Sequence, residues 1–312
     1  MRQQFLAGGG RIAVVAPSGP LSSDLLSAGV GCLRSMGFAV SVMPHADGCR
    51  DGVFAAADSD RAYDLAEALA SAEADAVWCA RGGYGAMRTL EALGRFGGWR
   101  KVFGETDKIL VGFSDITALH SAAARCGGVG LHGPMLKHMA TRGADSPDVQ
   151  ATLALLRGDA FSLSRPALQG SRDGEAEGRL IGGNLSILYS LASTPLMPDP
   201  DGAILFIEDL SEYRYHIDRM MRALRFSGFL SRLSGVIVGQ MTGMRDGATP
   251  FGRDAFQIVA DAVADYAYPV FVGYPAGHDP SENFPLLIGG ECRMRVAGGM
   301  ATVWQSARRP GR

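Results

Sequence analysis

The first half of the chain alternates short apolar runs with longer amphipathic stretches, and this alternation constrains the fold. The apolar runs predict buried strands over residues 11–17, 39–43, 74–80, 109–111 and 129–131. The stretches between them predict helices of about 10 to 15 residues. Strands and helices alternating in this way form βαβ units and a parallel sheet covered on both faces. In such sheets, functional residues lie beyond the carboxyl ends of the strands.

The second half of the chain predicts a smaller, mixed domain. Residues from about 140 to 178 are polar and rich in turn formers, as linkers are. We therefore predict an N-terminal α/β domain over 1–150, a linker over 151–178 and a C-terminal domain over 179–312. Within the last, we predict strands at 203–207, 235–238 and 269–273, helices at 184–191 and 254–266, an amphipathic helix around 217–224, and a hairpin from Cys292 to Trp304.

Composition excludes several classes of function. A hydrophobic content of 47% with 20% charged residues is typical of a globular protein, and a net charge of -2 gives no basis for binding nucleic acid or an anionic membrane. No segment approaches the roughly 20 apolar residues of a membrane span. The N-terminal segment Met1–Gly10 lacks the apolar core of a signal peptide, so we expect a cytoplasmic protein.

Cysteine usage predicts neither a disulfide framework nor a zinc site. The count is odd, the spacing is wide and no C-x-x-C occurs; the five cysteines are Cys32, Cys49, Cys79, Cys126 and Cys292. We expect reduced thiols and no metal or other cofactor.

Ser114 stands at the corner between a predicted strand and a predicted helix. A serine on such a sharp turn has its hydroxyl exposed beside the amides of the helix N-terminus, which can stabilise an oxyanion. Serine is also a favoured helix N-cap, so this position alone does not establish catalysis. Ile116 replaces the second glycine of G-x-S-x-G.

Two later residues supply the other groups that a serine nucleophile needs. His278 lies in a Gly/Pro-rich loop after a strand, and the ordinary pKa of histidine suits a general base near pH 7. Glu208 ends an apolar strand. A carboxylate on the second imidazole nitrogen would orient the ring. Asp209 and Glu212 compete with Glu208 for that role, and His132 competes with His278.

The loop Arg81-Gly-Gly-Tyr-Gly85 follows a predicted strand and matches neither G-x-G-x-x-G nor a P-loop. It could be a tight turn or a weak phosphate cradle. In a hydrolase its glycines would let a backbone amide, that of Gly83, join Asp115 N–H in an oxyanion hole. Arg81 and Tyr84 are then predicted to contact substrate, with Arg81 the candidate for a terminal carboxylate.

Seven segments in order resemble the LD-carboxypeptidases, also called muramoyltetrapeptide carboxypeptidases. They are Ala80-Arg-Gly-Gly-Tyr-Gly, Val111-Gly-Phe-Ser-Asp-Ile-Thr-Ala-Leu-His, Leu131-His-Gly-Pro-Met, Gly182-Gly-Asn-Leu, Phe206-Ile-Glu-Asp, Ile217-Asp-Arg-Met, and Gly277-His with Asn283. The resemblance implies a flavodoxin-like or glutamine-amidotransferase-like N-terminal domain and a mixed α+β C-terminal domain. It also implies a serine peptidase whose triad is Ser114, Glu208 and His278, in a cleft between the domains.

The substrate implied by this resemblance is a cytoplasmic murein peptide released in cell-wall recycling. The bond cleaved would join the L-centre of the diamino acid to a terminal D-Ala, without a metal. A sister branch, the microcin C immunity peptidases, shares the triad and cleaves a peptidyl-nucleotide amide. A flavodoxin-like binding protein without catalysis is the alternative from another class. The sequence leaves open whether the protein forms a homodimer.

Overall fold

The computed structural model describes Leu6, residues 9–47 and residues 51–306, and it divides the chain into two compact units. The first unit extends to Asp159 and also includes the later segment Phe284–Gly289. The second unit is formed by Ala160–Asn283 and by the chain from Gly290 onward. Residues 1–5 of the segment tested for a signal peptide, and Cys49, lie outside the described residues.

The first unit consists of βαβ units, as the alternation of the sequence predicts. Its strands are β1 (Arg11–Val15), β2 (Ala39–Val42), β3 (Ala76–Cys79), β4 (Ile109–Gly112) and β5 (Gly130–His132). Its helices are α1 (Ser23–Ser35), α2 (Asp58–Ala70), α3 (Ala86–Ala92), α4 (Trp99–Gly104), α5 (Thr117–Arg125), α6 (Leu136–Arg142) and α7 (Pro147–Leu156).

The sheet of the first unit brings three of the predicted loops to one edge. Among the described strands, β5, β4, β3, β1 and β2 are neighbours in that order, and all of these pairs are parallel. Strands β3 and β4 are buried throughout. Because the strands are parallel, the loops that follow β3, β4 and β5 leave the sheet at the same edge.

The second unit is a mixed sheet with helices. Its first elements are β6 (Ala160–Pro166), β7 (Gly174–Asn184), α8 (Leu185–Ser190), β8 (Ile204–Leu210), α9 (Arg214–Phe226), β9 (Gly235–Thr242), α10 (Ala255–Ala262) and β10 (Val270–Val272). After β11 (Leu286–Ile288), which belongs to the first unit, the hairpin β12 (Glu291–Ala297) and β13 (Met300–Ser306) follows.

The described strands of this sheet run in the order β10-β9-β8-β7-β12-β13-β6. Strands β10, β9, β8 and β7 are parallel, whereas β12, β13 and β6 add antiparallel pairs. Helix α9 buries Ile217, Met220, Met221 and Leu224, the apolar face that its spacing predicts. The predicted mixed α+β C-terminal domain is therefore confirmed.

The structure differs from the predicted domain division in two respects. The segment 151–178, predicted as a linker, contains the end of α7, all of β6 and the start of β7. Strand β6 is polar because most of its side chains are exposed, so its composition imitates a loop. The second difference is β11, a strand of three residues from the second half of the chain that pairs antiparallel with β5 in the first unit.

Helix α1 offers a matched pair of glycine substitutions. A Cβ on buried Gly29 would lie 2.7 Å from the carbonyl oxygen of Leu136 in α6, whereas a Cβ on exposed Gly31 meets nothing within 4 Å. We expect Gly31→Ala to raise the free energy of unfolding by about 0.5–1 kcal/mol, because alanine loses less backbone entropy in a helix. Gly29→Ala should lower it by about 1–3 kcal/mol through overpacking. Urea denaturation midpoints test both, and equal effects would contradict this packing.

Candidate active site

Ser114 is held in a strained backbone conformation at the end of a buried strand. Phe113 continues β4 in extended geometry, and Ser114 then adopts a φ of 64° before the 3₁₀ turn Ser114–Ile116 leads into α5. A left-handed conformation at a residue other than glycine costs about 1–3 kcal/mol, and such strain clusters at active sites. Among the described non-glycine residues, only Ser193 and Ser211 share it. The turn has the geometry predicted for a nucleophilic serine.

The glycine loop after β3 approaches this turn closely. A Cβ on Gly82 would lie 3.0 Å from Ser114 Cβ and 3.4 Å from Ser114 Oγ. Gly83, the next residue, has a φ of +109°, which side chains rarely permit. The two glycines therefore let backbone come next to the serine hydroxyl, as an oxyanion hole requires. The specific role of Gly83 N–H stays a prediction.

The side chain of Asp115 is buried and hydrogen-bonded within the first unit. It is 3% exposed, and its Oδ2 accepts hydrogen bonds from Ser18 Oγ at 2.6 Å and from Ala86 N at 2.8 Å. Burial raises the pKa of this carboxyl. The predicted contribution of Asp115 to substrate binding thus falls to its backbone amide.

Arg81 and Tyr84 differ in how they are held. Arg81 Nη1 donates to the carbonyl oxygen of Pro20 at 2.9 Å, so part of its guanidinium supports a neighbouring turn. The Tyr84 ring is 59% exposed and lies 5.6 Å from the ring of Phe54. Their predicted contacts with substrate stay predictions.

In the second unit, Glu208 and His278 form a direct pair. His278 Nδ1 lies 2.7 Å from Glu208 Oε2, and the Glu208 side chain is completely buried at the end of β8. A buried carboxylate at this distance fixes the ring and favours the tautomer protonated on Nδ1. In that tautomer Nε2 carries the lone pair of a general base. The predicted contact between Glu208 and His278 is confirmed.

The loop that carries His278 is fixed by short polar contacts. Gly277 N donates to Asn283 Oδ1 at 3.0 Å, and Asp279 N donates to Gln240 Oε1 at 2.8 Å. A Cβ on Gly277 would lie 3.1 Å from Glu208 Oε2, and its φ is +144°. The Gly-His sequence therefore lets the loop pass over the carboxylate.

The rival groups have other partners. Asp209 accepts hydrogen bonds from Asn184 Nδ2 at 3.0 Å, Ser186 N at 3.0 Å and Leu210 N at 2.8 Å. Glu212 Oε2 lies 2.6 Å from His216 Nδ1. The sequence did not reveal that Asp209 anchors the start of α8, and no local signal in the sequence pairs Asp209 with Asn184 or Ser186.

His132, the rival histidine, is a buried residue of the first unit. It is the last residue of β5, it is completely buried, and its ring lies 5.3 Å from that of Phe113. It packs beside the strand that carries the serine. Ser114 belongs to the first unit and the Glu208–His278 pair to the second, and their assembly into a triad stays a prediction.

Comparison with solved structures places this fold among known carboxypeptidases. A crystal structure of muramoyltetrapeptide carboxypeptidase from Oxalobacter formigenes is 29% identical, with a TM-score of 0.85, and the match covers 95% of this chain and 98% of that chain. A structure of MccF in complex with glutamyl sulfamoyl guanosine has a TM-score of 0.82 over 98% of both chains. At 20% identity, this second likeness shows the fold alone.

The chain belongs to the LD-carboxypeptidase family. The model of the LD-carboxypeptidase N-terminal domain matches residues 12–133, and the C-terminal domain model matches residues 177–294. A murein tetrapeptide carboxypeptidase of Pseudomonas aeruginosa is 31% identical over 278 residues, which cover 86% of this chain and 88% of that protein. The predicted resemblance and fold class are confirmed, and membership in a family of carboxypeptidases makes the protein a hydrolase.

The described residues contain neither a membrane-spanning helix nor a cluster of metal ligands. No helix in the described ranges is both long and apolar enough to cross a membrane. In the same part of the chain, no three His, Cys, Asp or Glu side chains are grouped so that they could hold a metal ion.

The buried Asp209 generates a prediction about pH. Burial and the neighbouring Glu208 raise its pKa from 3.8 to about 7. The folded protein then binds a proton there that the unfolded chain has lost, so this group reduces the free energy of unfolding as pH rises from about 4 to about 7. The reduction is roughly 1.4 kcal/mol per unit of pKa difference.

Asp209→Asn removes this titration. We expect the wild type to lose more stability than the variant between pH 4.5 and pH 8, as measured by urea unfolding of both proteins. Parallel stability profiles would show that Asp209 titrates normally.

Proposed function

We propose that the protein is a serine carboxypeptidase that hydrolyses the L,D bond to the terminal D-Ala of murein tetrapeptides, in cytoplasmic cell-wall recycling. The observation that supports this proposal is the Glu208–His278 pair at 2.7 Å, in a chain that also holds Ser114 at a φ of 64°. The name of the Pseudomonas aeruginosa relative supports the substrate class. Solvent-excluded Glu208 supports the role of an orienting acid, because its carboxylate is already directed at Nδ1.

In this mechanism His278 Nε2 accepts the proton of Ser114 Oγ while the oxygen attacks the carbonyl carbon of the diamino acid. The electron pair of the C=O bond moves to oxygen, where Asp115 N–H and Gly83 N–H donate to it. The C–N bond then breaks, and D-Ala takes the proton from His278 as it leaves. In the second half-reaction, His278 Nε2 takes a proton from water while the water oxygen attacks the acyl carbon. The proton then passes to Ser114 Oγ as the bond to the acyl carbon breaks, which regenerates Ser114.

Glu208 holds the imidazole in the required tautomer and stabilises the imidazolium that forms in each half-reaction. Because the acyl part ends in an L-centre, the oxyanion donors need accommodate only an ordinary carbonyl. Selection for a D-residue must occur on the leaving-group side. Arg81 is the proposed partner of the terminal carboxylate, through guanidinium nitrogens other than the Nη1 that contacts Pro20.

The triad is tested by release of D-Ala from a murein tetrapeptide, followed with D-amino acid oxidase. Ser114→Ala should lower kcat by about 10⁶-fold and Glu208→Gln by about 10⁴-fold, because loss of the nucleophile costs more than loss of the acid that orients the base. Ser193→Ala is the matched control for serine, since Ser193 shares the left-handed backbone and is exposed. Asp64→Asn is the control for the acid, since Asp64 forms another carboxylate–histidine pair with His45 at 2.9 Å.

Near-normal turnover in Glu208→Gln, together with an inactive Asp209→Asn variant, would show that Asp209 and not Glu208 is the acid of the triad. Unchanged turnover in Ser114→Ala would exclude Ser114 as the nucleophile, and no release of D-Ala by the wild type would indicate a binding protein without catalysis.

The stereochemical assignment is tested with two tetrapeptides that differ only in the terminal alanine. We expect release from the D-Ala peptide and at least about tenfold slower release from its L-Ala epimer, because the pocket must distinguish the two by contacts to one methyl group and one carboxylate. Amino-acid analysis of the products measures both rates. Equal rates would refute the L,D assignment, and cleavage of a peptidyl-adenylate but not of the tetrapeptide would favour the immunity-peptidase activity.

A further inference from the structure

Asp115 is a buried charged residue whose side chain has no role in the reaction steps above. Placing a carboxylate at 3% exposure is costly unless hydrogen bonds compensate it. Ser18 Oγ and Ala86 N both donate to the same oxygen, Oδ2. A carboxyl group thus occupies a buried position where an apolar side chain would cost less free energy, so its hydrogen bonds require an explanation.

These bonds join the two segments that would form the oxyanion hole. Asp115 supplies one proposed donor, its own N–H, and directly follows Ser114. Ala86 closes the glycine loop that supplies the other donor, Gly83 N–H. One carboxylate therefore connects the turn of the nucleophile to the loop opposite it.

A second connection leads from the same carboxylate to the glycine loop. Ser18, which donates to Asp115, precedes Gly19, and Gly19 N donates to the carbonyl oxygen of Gly82 at 3.0 Å. A Cβ on Gly19 would lie 3.1 Å from that oxygen, so the two backbones are in close contact. The loop is consequently held to Asp115 at both of its ends, through Gly82 and through Ala86.

Arg61 holds the glycine loop from the other side. Its side chain is completely buried, and Nη1 donates to the carbonyl oxygens of Pro17 and Gly85, both at 2.9 Å. Nη1 also donates to Thr89 Oγ1 at 2.8 Å. A Cβ on Gly85 would lie 2.5 Å from Nη1, so only glycine fits beneath the guanidinium.

We propose that Asp115 is a positioning residue whose carboxylate sets the spacing between the two oxyanion donors. Ser18 holds this carboxylate, and Arg61 holds the glycine loop. This inference rests on the proposed function. The strained Ser114 turn requires surroundings that hold it, and the Asp115 contacts provide them on the side that faces the glycine loop. The effect acts through backbone amides, and the carboxylate itself touches no reacting atom.

A misplaced oxyanion donor weakens contacts to the transition state more than contacts to the substrate. Loss of a whole donor lowers kcat by about 10²–10³-fold. We expect Asp115→Ala to lower kcat by about 100-fold and Ser18→Ala by about tenfold, with KM changed less than about threefold in both. Asp115→Asn keeps one oxygen that can accept from Ser18 and Ala86, so it should recover most of the kcat lost in Asp115→Ala.

The experiment measures kcat and KM for D-Ala release together with two inhibition constants. One is for a phosphonate that mimics the tetrahedral intermediate, and the other is for a reduced-amide analogue that mimics the ground state. The phosphonate constant should rise in proportion to the loss of kcat/KM across the variants, while the reduced-amide constant stays within about threefold. A residue that only stabilises the fold would raise both constants together or neither, and either pattern would overturn the proposal.

Asp64→Asn serves as the matched control, because Asp64 is also a buried acid of the first unit that accepts two hydrogen bonds, both from His45. It should lower thermal stability without altering the ratio of the two inhibition constants. An equal change of that ratio in Asp64→Asn would contradict a specific role for Asp115.

Labelling of Ser114 by a fluorophosphonate separates this inference from the proposed substrate. The serine oxygen attacks phosphorus and fluoride leaves, and this phosphonylation also places a developing negative oxygen in the oxyanion hole, so it requires no tetrapeptide activity. If the wild type is labelled but releases no D-Ala, the substrate proposal fails while the labelling rates still test Asp115. Slower labelling of Asp115→Ala, restored in Asp115→Asn, supports the inference, and equal rates in correctly folded variants overturn it.

Discussion

The approach of backbone to backbone at Gly82 and Ser114 is the constraint on which the surroundings of Ser114 depend. With a Cβ at Gly82 only 3.0 Å from Ser114 Cβ, any side chain there would displace the turn. The left-handed serine, the glycine loop and the buried Asp115 are therefore parts of one arrangement. Strain at Ser114 is tolerated because buried hydrogen bonds on several segments fix the neighbouring backbone.

The second unit holds His278 in a similar way. Gly277 brings the histidine loop to within van der Waals distance of Glu208, and Asn283 and Gln240 hold the loop there through its amides. The imidazole consequently has one orientation before any substrate arrives. Both halves of the proposed site thus combine a glycine that permits close approach with a buried polar group that fixes it.

The sequence predicted strands β1 to β5 of the first sheet and β8, β9 and β10 of the second, because most of them are short apolar runs between turn formers. The Glu208–His278 contact was predicted through the resemblance to the LD-carboxypeptidases. Strand alternation indicates that Glu208 and Asp209 face opposite sides, but it does not identify which of them contacts the histidine. The sequence did not predict β6 or the start of β7, whose exposed polar residues imitate a linker, and it made no strand prediction over the rest of β7. It also missed β11, whose three residues are too few for a pattern. Nor did it reveal the partners of Asp115 and Asp209, because contacts between distant segments leave no periodic signal.

The placement of β11 has a consequence for the order in which the protein can be completed during synthesis. The sheet that leads into Ser114 lacks the β11 partner of β5 until residue 288 has been made, after residues 160–283 of the second unit. Until then the nascent chain presents the outer edge of β5 without that strand, and open edges invite wrong pairings. Most of the first unit is thus synthesised early, whereas its last strand, β11, is synthesised late. A fragment ending at Asp159 would retain Ser114 but would never acquire the edge strand that completes its sheet.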